Sequence, residues 1–202
     1  MVTRSFESRA GGEPILYRSY GALVSADGAA DRRTIFGIVC PFNQVVEIRD
    51  SYGGYLERFA AGAFRKTINE AGARVKLLRG HDARSLPVGR AVELREQPNG
   101  LYGAFRVAET AAGDELLTLV RDGVADAFSV GFRPIREREQ RTDSGMIVVR
   151  TEVQLMEVSV VALGAYPSAL IAGIRSADSG LWTHGRRAAY LRGLEPEELL
   201  AL

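Results

Sequence analysis

The chain has 202 residues, of which 46% are hydrophobic and 8% aromatic, so it can bury an ordinary core and is not a disordered chain. Its 26 basic and 25 acidic residues leave a formal net charge of +1, which gives no electrostatic basis for binding nucleic acid or a membrane surface. No apolar run approaches the roughly 20 residues of a membrane span, and the first residues lack a signal-peptide core. These features predict one soluble, cytosolic domain.

The single cysteine, Cys40, lies in the apolar run at 35–40 and cannot form an internal disulfide. It is predicted to be a buried small hydrophobic residue in a reducing compartment. The two histidines, His81 and His184, are far apart in sequence and form no ligand cluster with Cys40. The sequence therefore predicts no metal and no other cofactor.

The first half of the chain alternates short apolar strands with turns. A polar arm is predicted at 1–13, ahead of a core that begins near Ile15. Apolar runs with strand character follow in chain order at 15–24, 34–39, 45–48 and 75–78. A helix is predicted at 64–71, with Gly72 just past its C-terminal end.

The second half carries a clear hairpin and a clear helix. The hairpin joins strands at 88–94 and 101–107 through Asn99-Gly100, a strong turn signal. The helix is predicted from Thr110 to Gly123, because its leucines recur at a helical period and acidic residues lie in its first turns. The remaining predictions are a strand at 127–132, a charged loop at 136–144, one or two strands at 146–163 and short tail helices at 186–191 and 196–202.

This order of elements predicts an α+β domain dominated by an antiparallel sheet, either open or closed as a barrel. Neither a βαβ alternation nor a glycine-rich phosphate loop is present in the sequence. The predicted domain spans residues 14–175, and residues 176–202, where the composition changes to Ser, Gly, Asp and Arg, form an appended C-terminal tail.

One polar residue interrupts the apolar strand at 127–132. Ser129 stands among Ala, Phe and Val, and a buried serine needs a hydrogen-bond partner. His81 follows another apolar strand, so a Ser129–His81 pair of the kind that hydrolyses peptide bonds is one hypothesis. Taken singly, Ser129 is better explained as a small strand residue that bonds a neighbouring carbonyl, and His81 as a solvated loop histidine.

Such a pair needs a third group to orient the imidazole, and the candidates are Asp82, Glu157 and His184. Asp82 is adjacent to His81, and neighbouring residues of an extended chain point to opposite faces. Glu157 lies inside an apolar strand, where a charge is either paired when buried or solvated, together with Ser159, on an exposed face. His184 lies in the tail and ranks last.

The order and spacing of several short motifs resemble the prohead proteases of tailed phages, which are serine proteases of capsid maturation with a herpesvirus-assemblin-like fold. The resemblance runs from about residue 35 to 171, and the chain departs from it at Ala61, where the family usually has proline. The motifs that carry it are Glu57-Arg-Phe-Ala-Ala-Gly-Ala-Phe64, Leu77-Leu-Arg-Gly-His-Asp82, Pro87-Val-Gly-Arg90, Asn99-Gly-Leu101, Arg121-Asp-Gly123, Phe128-Ser-Val-Gly-Phe132, Glu157-Val-Ser-Val-Val161 and Tyr166-Pro-Ser-Ala169.

The resemblance implies that Ser129 is the nucleophile and His81 the general base. It implies that Glu157 orients the imidazole, at a position where related viral proteases use a second histidine. The implied fold is a small β-barrel ringed by helices. The implied substrates and partners are the major capsid protein with its scaffolding segment, and the protease itself, inside the immature capsid in the host cytoplasm. Assemblin relatives are activated by pairing, which suggests a homo-oligomer, whereas a protease confined to the shell could be monomeric or form a larger assembly. Residues 180–202 would hold the protease in the shell or be removed by self-cleavage, and the alternative is a surface tail without such a role.

Two other functions compete with this expectation. The first is a non-catalytic capsid-assembly or scaffold protein that keeps the fold and binds coat protein without cutting it. The second is an esterase of small substrates, which the absence of a Gly-x-Ser-x-Gly motif disfavours. The distance between Ser129 Oγ and the His81 ring discriminates catalysis from binding, because a working pair lies within about 2.6–3.2 Å or slightly more.

Overall fold

The computed structural model describes residues 15–20, 33–50, 53–142, 145–162 and 173–174. The predicted arm at 1–13 lies outside these residues, and so does the whole predicted tail at 176–202, which includes both predicted tail helices and His184. The strands are β1 (Leu16–Tyr20), β2 (Thr34–Pro41), β3 (Val46–Asp50), β4 (Gly53–Phe59), β5 (Lys76–Arg79), β6 (Gly89–Gln97), β7 (Gly100–Val107), β8 (Ala127–Thr142), β9 (Gly145–Val161) and β10 (Gly173–Ile174). The helices are α1 (Arg65–Ala71), continued by a 3₁₀ turn at Gly72–Arg74, and α2 (Ala111–Arg121).

The described strands form one sheet in the order β1-β8-β9-β5-β6-β7-β2-β10, with β4 paired to β9 and β3 paired to β4. Most pairs are antiparallel, and β9 is parallel to both β4 and β5. The sheet curls, so that β1 at one end also contacts β2 near the other. A mainly β domain with two short helices confirms the α+β prediction at this level. No described helix has the length and apolar content that a membrane crossing needs.

The two faces of β8 separate the core from the candidate site. Side chains alternate along a strand, so Phe128, Val130 and Phe132 point inward and are fully buried. Phe132 packs edge-on against Phe59, with ring centroids 5.0 Å apart, and Phe128 packs against Phe105 at 5.6 Å. The same alternation places Ser129 and Gly131 on the opposite face. Cys40 is buried as a free thiol, as predicted.

Helix α1 replaces a missing strand beside β9. β9 pairs with β4 through residues 147–150 and with β5 through residues 157–160, which leaves the backbone between them without a strand partner on that side. Thr67 of α1 donates its hydroxyl to the carbonyl of Val153 at 3.2 Å and accepts from the N–H of Leu155 at 3.1 Å. The N–H of Val153 donates to the carbonyl of Ala63. These bonds satisfy the backbone and hold β9 in place ahead of residue 157.

A charge cluster is buried where β1, β4 and β9 meet. Glu57 is fully buried, and its carboxylate binds two arginines that are almost as buried, Arg18 at 2.5 Å and Arg150 at 2.6 Å. Arg18 also donates to the hydroxyl of Tyr55 and to the backbone carbonyl of Tyr17. The cluster therefore anchors β1 to the rest of the sheet.

Removing the shared carboxylate should destabilise the fold strongly. In Glu57→Ala, Arg18 and Arg150 would lose the carboxylate that they share in a buried site, and removing one partner of a buried ion pair costs about 3–5 kcal/mol. Urea unfolding measures this loss. Glu109→Ala is the control, because its ion pair with Arg106 is exposed and should contribute under about 1 kcal/mol. Equal losses in the two variants would contradict the expectation.

The prediction of a charged loop at 136–144 is wrong for residues 136–142, which are the part of that segment that the structure describes. Residues 136–142 continue β8, and they pair with β9 down to Thr142 opposite Gly145. The charged side chains of this extension are exposed. Glu137 forms an ion pair with Arg150 of β9, and the amide oxygen of Gln140 accepts from Arg58 of β4. The charged sequence therefore indicated correctly that these side chains are exposed. Pairing with β9 determines that their backbone is a strand and not a loop.

The two glycines predicted to end helices behave differently. Gly123 has a left-handed φ of 71° just after α2, as a C-terminal glycine should. Gly72 does follow the last residue of α1, as predicted, but it is the C-cap with a helical φ of −51° and starts the 3₁₀ turn, so only its prediction as a C′ glycine is wrong. The predicted hairpin is present, with Gln97 opposite Gly100, so Pro98 and Asn99 make the turn. Gly100 lies in β7, where a Cβ would come within 2.5 Å of the Cys40 carbonyl.

Candidate active site

The structure brings Ser129, His81 and Glu157 into one hydrogen-bonded line. His81 Nε2 lies 2.5 Å from Ser129 Oγ, and His81 Nδ1 lies 2.6 Å from Glu157 Oε1. A carboxylate only accepts, so Nδ1 carries the proton and Nε2 is free to accept the proton of the serine hydroxyl. The separation of serine and imidazole is that of a bonded pair. A neutral imidazole placed this way can take a proton from the hydroxyl and become an imidazolium beside a carboxylate.

The register of β8 and β9 fixes the serine and the carboxylate on one face. Ser129 is opposite Ser159, and Gly131 is opposite Glu157, in the antiparallel pair. Because side chains alternate, these four residues share the face that is turned away from the phenylalanine core. Ser129 is fully buried, and its hydroxyl is satisfied by His81.

His81 reaches this face through a left-handed turn at the end of β5. Gly80 and His81 have φ values of 56° and 63°, and a non-glycine residue there costs about 1–2 kcal/mol. The N–H of Gly80 donates to the carbonyl of Val160, and the N–H of His81 donates to Ser159 Oγ. Parallel pairing of β5 with β9 thus ends at Arg79, and the chain folds back so that the imidazole lies over β8 and β9.

Glu157 is buried, with 8% of its surface exposed, and it is paired. Its Oε1 faces His81, and its Oε2 accepts the hydroxyl of Ser159 at 2.8 Å. The reading in which Glu157 and Ser159 lie on a solvated face is therefore wrong. Their i, i+2 spacing does put both on one face, but that face is covered by the turn that carries His81. The sequence analysis considered Ser159 only as a solvated neighbour of Glu157. The i, i+2 spacing of the two residues was a signal that could have placed Ser159 in the site.

Tyr17 of β1 lies against the imidazole. Its ring centroid is 4.3 Å from that of His81, and the planes are tilted by 51°. Burial raises the pKa of the Tyr17 phenol, and the nearby negative charge of Glu157 raises it further. The phenol therefore stays neutral beside the site. No signal in the sequence connected Tyr17 with His81, because the two residues are brought together only by the pairing of β1 with β8.

The sequence of residues 22–180 matches the family described as the caudovirus prohead serine proteases. This match covers well over half of the 202 residues. The chain belongs to the caudovirus prohead serine protease family. The resemblance seen in the sequence motifs is thus confirmed at the level of the family.

Two curated prohead proteases are similar to this family member. The prohead protease of Escherichia phage T5 is 33% identical over 88 residues, which are 43% of this chain and 40% of that protein. The prohead protease of Enterobacteria phage HK97 is 29% identical over 119 residues, which are 58% of this chain and 52% of that protein. The chain thus spans about half or less of the length of the curated relatives it matches.

A solved structure shares the fold of this prohead protease family member. The capsid assembly protease of bacteriophage T4 superposes with a TM-score of 0.52 and 18% sequence identity, over 73% of this chain and 96% of that one. At this identity the likeness shows the fold alone. It agrees with the curled, mainly β architecture around the candidate site.

Asp82, another candidate for the orienting group in this family member, does not reach the imidazole as Glu157 does. The carboxylate of Asp82 is fully exposed and folds back onto its own loop, where it accepts from the Ser85 hydroxyl and the Arg84 N–H. These two hydrogen bonds, that of Ser85 above all, lower the pKa of Asp82. His184 lies outside the described residues. Within the described ranges, no group of three or more His, Cys, Asp or Glu side chains is placed to hold a metal ion.

Gly131 in the Phe128-Ser-Val-Gly-Phe132 motif of the family leaves room for the carboxylate. A Cβ at this position would lie 2.3 Å from Glu157 Oε1 and 3.0 Å from Tyr17 Cε1. Real Cβ atoms essentially never approach another atom to 2.3 Å, so a side chain here must displace Glu157 from His81. The glycine is therefore a requirement of the site and not of the β-strand.

We expect Gly131→Ala to lower the rate of peptide cleavage by about 10²-fold, because a displacement of about 1 Å in a catalytic group has effects of this size. The measurement is kcat on a peptide substrate, with the melting temperature as a check of folding. Gly72→Ala is the matched control, since Gly72 has a helical φ and no atom within 4 Å of an added Cβ. A folded Gly131→Ala protein with unchanged kcat would contradict this prediction.

Proposed function

We propose that this chain is a serine endopeptidase of virion maturation. Ser129 is the nucleophile, His81 is the general base, and Glu157 holds the imidazole in the tautomer that can accept the serine proton. The observation that carries the proposal is the continuous line from Ser129 Oγ through the imidazole to Glu157, with separations of 2.5 and 2.6 Å. Membership of the prohead serine protease family supports the same assignment.

In the proposed reaction, Ser129, His81 and Glu157 act in turn. His81 Nε2 takes the proton of the Ser129 hydroxyl while Oγ attacks the carbonyl carbon of the substrate. The imidazolium that forms is stabilised by the Glu157 carboxylate, and it then returns the proton to the departing amine. Water attacks the resulting acyl-enzyme by the same route and releases the serine.

The proposed substrate is the scaffold, or the scaffolding segment of the major capsid protein. Cleavage takes place inside the prohead, in the host cytoplasm. In this proposal the protease also cleaves itself. Support comes from the names of the curated relatives, both prohead proteases. We further infer a barrel of the herpesvirus-assemblin type for the complete domain, with the major capsid protein as partner and a homo-oligomer as the active form. Residues 180–202 would either hold the protease inside the immature shell or be the segment that self-cleavage removes.

A serine-directed reagent and the coat protein together test this function. The purified full chain is treated with a fluorophosphonate, which forms a stable bond only with an activated serine, and the labelled residue is located by peptide mass mapping. Treated and untreated samples are then mixed with purified major capsid protein. We expect one adduct, on Ser129, and removal of a coat-protein segment by the untreated sample only.

The exposed hydroxyl of Ser85 is an internal control, because it contacts only Asp82 and should not react. Absence of an adduct together with an unchanged coat-protein mass would overturn the proposal and favour the non-catalytic assembly protein. An adduct on Ser129 with uncut coat protein would support the assignment as a serine hydrolase and would show that the coat protein is not its substrate.

A further inference from the structure

Ser159 is a buried hydroxyl at the centre of the site that takes no part in the proposed proton path. It lies directly opposite Ser129 in the β8–β9 pair and is fully buried. Its Oγ accepts the backbone N–H of His81 at 3.0 Å and donates to Glu157 Oε2 at 2.8 Å. A hydroxyl has one proton, and the N–H of His81 takes up an acceptor position, so that proton is directed at the carboxylate.

The two bonds of Ser159 close a ring around His81. Glu157 accepts a hydrogen bond from the imidazole at Oε1 and one from the Ser159 hydroxyl at Oε2. The oxygen of Ser159 in turn accepts the backbone N–H of His81, which completes the ring. The backbone and the side chain of one residue are thus held by the same pair of neighbours. A carboxylate with both oxygens engaged cannot rotate freely, so the direction of Oε1 toward Nδ1 is fixed.

This restraint acts on a residue whose backbone conformation is unfavourable. His81 is left-handed, at φ 63°, and such a residue stays in place only when its surroundings hold it. The carbonyl of Val160 holds the preceding Gly80, and the hydroxyl of Ser159 holds His81 itself. Without that hydroxyl, the partly buried N–H of His81 would lose its acceptor at a residue with a left-handed backbone.

We propose that Ser159 is a positioning residue for catalysis, which sets the carboxylate of Glu157 and the backbone of His81 so that Nε2 meets Ser129. This inference rests on the proposed function, since it assigns a role within the same site. Ser159 does not contact the substrate in this role. It acts through His81 and Glu157, so its loss should lower kcat and leave KM unchanged.

The test compares Ser159→Ala with Ser159→Cys. Cysteine nearly keeps the volume of serine but is a weak hydrogen-bond donor and acceptor, so it separates hydrogen bonding from packing. We expect kcat to fall about 10- to 100-fold in both variants, the range of a hydrogen bond to a charged group, with KM unchanged. Wild-type kcat in the cysteine variant would overturn the proposal, and so would a fall that appears only in KM.

Val158→Ala provides the matched control for stability. Val158 is the residue before Ser159 in β9, is fully buried and faces the core, so its truncation lowers the melting temperature without removing a hydrogen bond of the site. At a temperature where all variants are folded, Val158→Ala should keep wild-type kcat. A loss of kcat in Val158→Ala equal to that in Ser159→Ala would make the effect of Ser159 a matter of stability alone, and would overturn the positioning role.

A spectroscopic measurement separates this proposal from the proposed function. The proton shared between His81 Nδ1 and Glu157 gives a strongly downfield NMR signal when the bond is short, and it can be observed without substrate. We expect the signal in the wild-type protein, and we expect it to shift or broaden in Ser159→Ala. An unchanged signal would refute the role of Ser159 whether or not the protein cleaves anything. A changed signal in a protein without activity would support the positioning role and count against the protease.

Discussion

Ser129→Ala should lower kcat by about 10⁶-fold, and His81→Ala should do the same. In a serine–imidazole site each group depends on the other, so removing either one costs about as much as removing both. The double variant should therefore be no slower than the single ones. The measurement is single-turnover cleavage of the proposed substrate, the purified major capsid protein, with the double variant assayed beside the two single variants.

The controls for this prediction concern folding and contaminating proteases. Ser129→Ala removes one buried oxygen from a strand whose inward face is unchanged, so its melting temperature should stay close to that of the wild type. Ser85→Ala, in the exposed loop after His81, should keep full activity. A folded Ser129→Ala protein that retains even a hundredth of the rate would contradict the assignment of the nucleophile.

The sequence predicted elements whose signals are local. Helix α2 begins where Thr110 accepts the N–H of Gly113, and it ends at Gly123 with a left-handed φ, so both ends are encoded within a few residues. The hairpin at 97–100 is local in the same way. The apolar pattern also predicted that Ser129 and Glu157 were unusual, because each interrupts a run of core residues.

The rest could not be predicted, because it depends on register between distant strands. Ser129, His81 and Glu157 meet only because β8 pairs with β9 and β9 pairs with β5, across separations of 48 and 76 residues. The requirement for Gly131 follows from that same register. The charged residues at 136–142 misled for a similar reason, because their pairing with β9 makes them part of a strand and not the predicted loop. The burial of Glu57 between two arginines likewise depends on partners that come from other strands.

Glu157→Gln should lower kcat by about 10⁴-fold while leaving the fold intact, because the amide would support the wrong tautomer of His81. The hydroxyl of Ser159 donates to Oε2, so the amide oxygen should take that position and the NH₂ should face Nδ1. Nδ1 must then accept, Nε2 carries the proton, and the imidazole cannot take one from Ser129. Removing the Ser159 hydroxyl in this background frees the amide to turn over, so the double variant should be no slower than Glu157→Gln alone. The measurement is single-turnover kcat for the single and double variants, with Glu152→Gln on the same strand as the control. Additive losses from the two substitutions would show that Ser159 does not orient residue 157, and a Glu157→Gln protein near wild-type rate would remove Glu157 from the site.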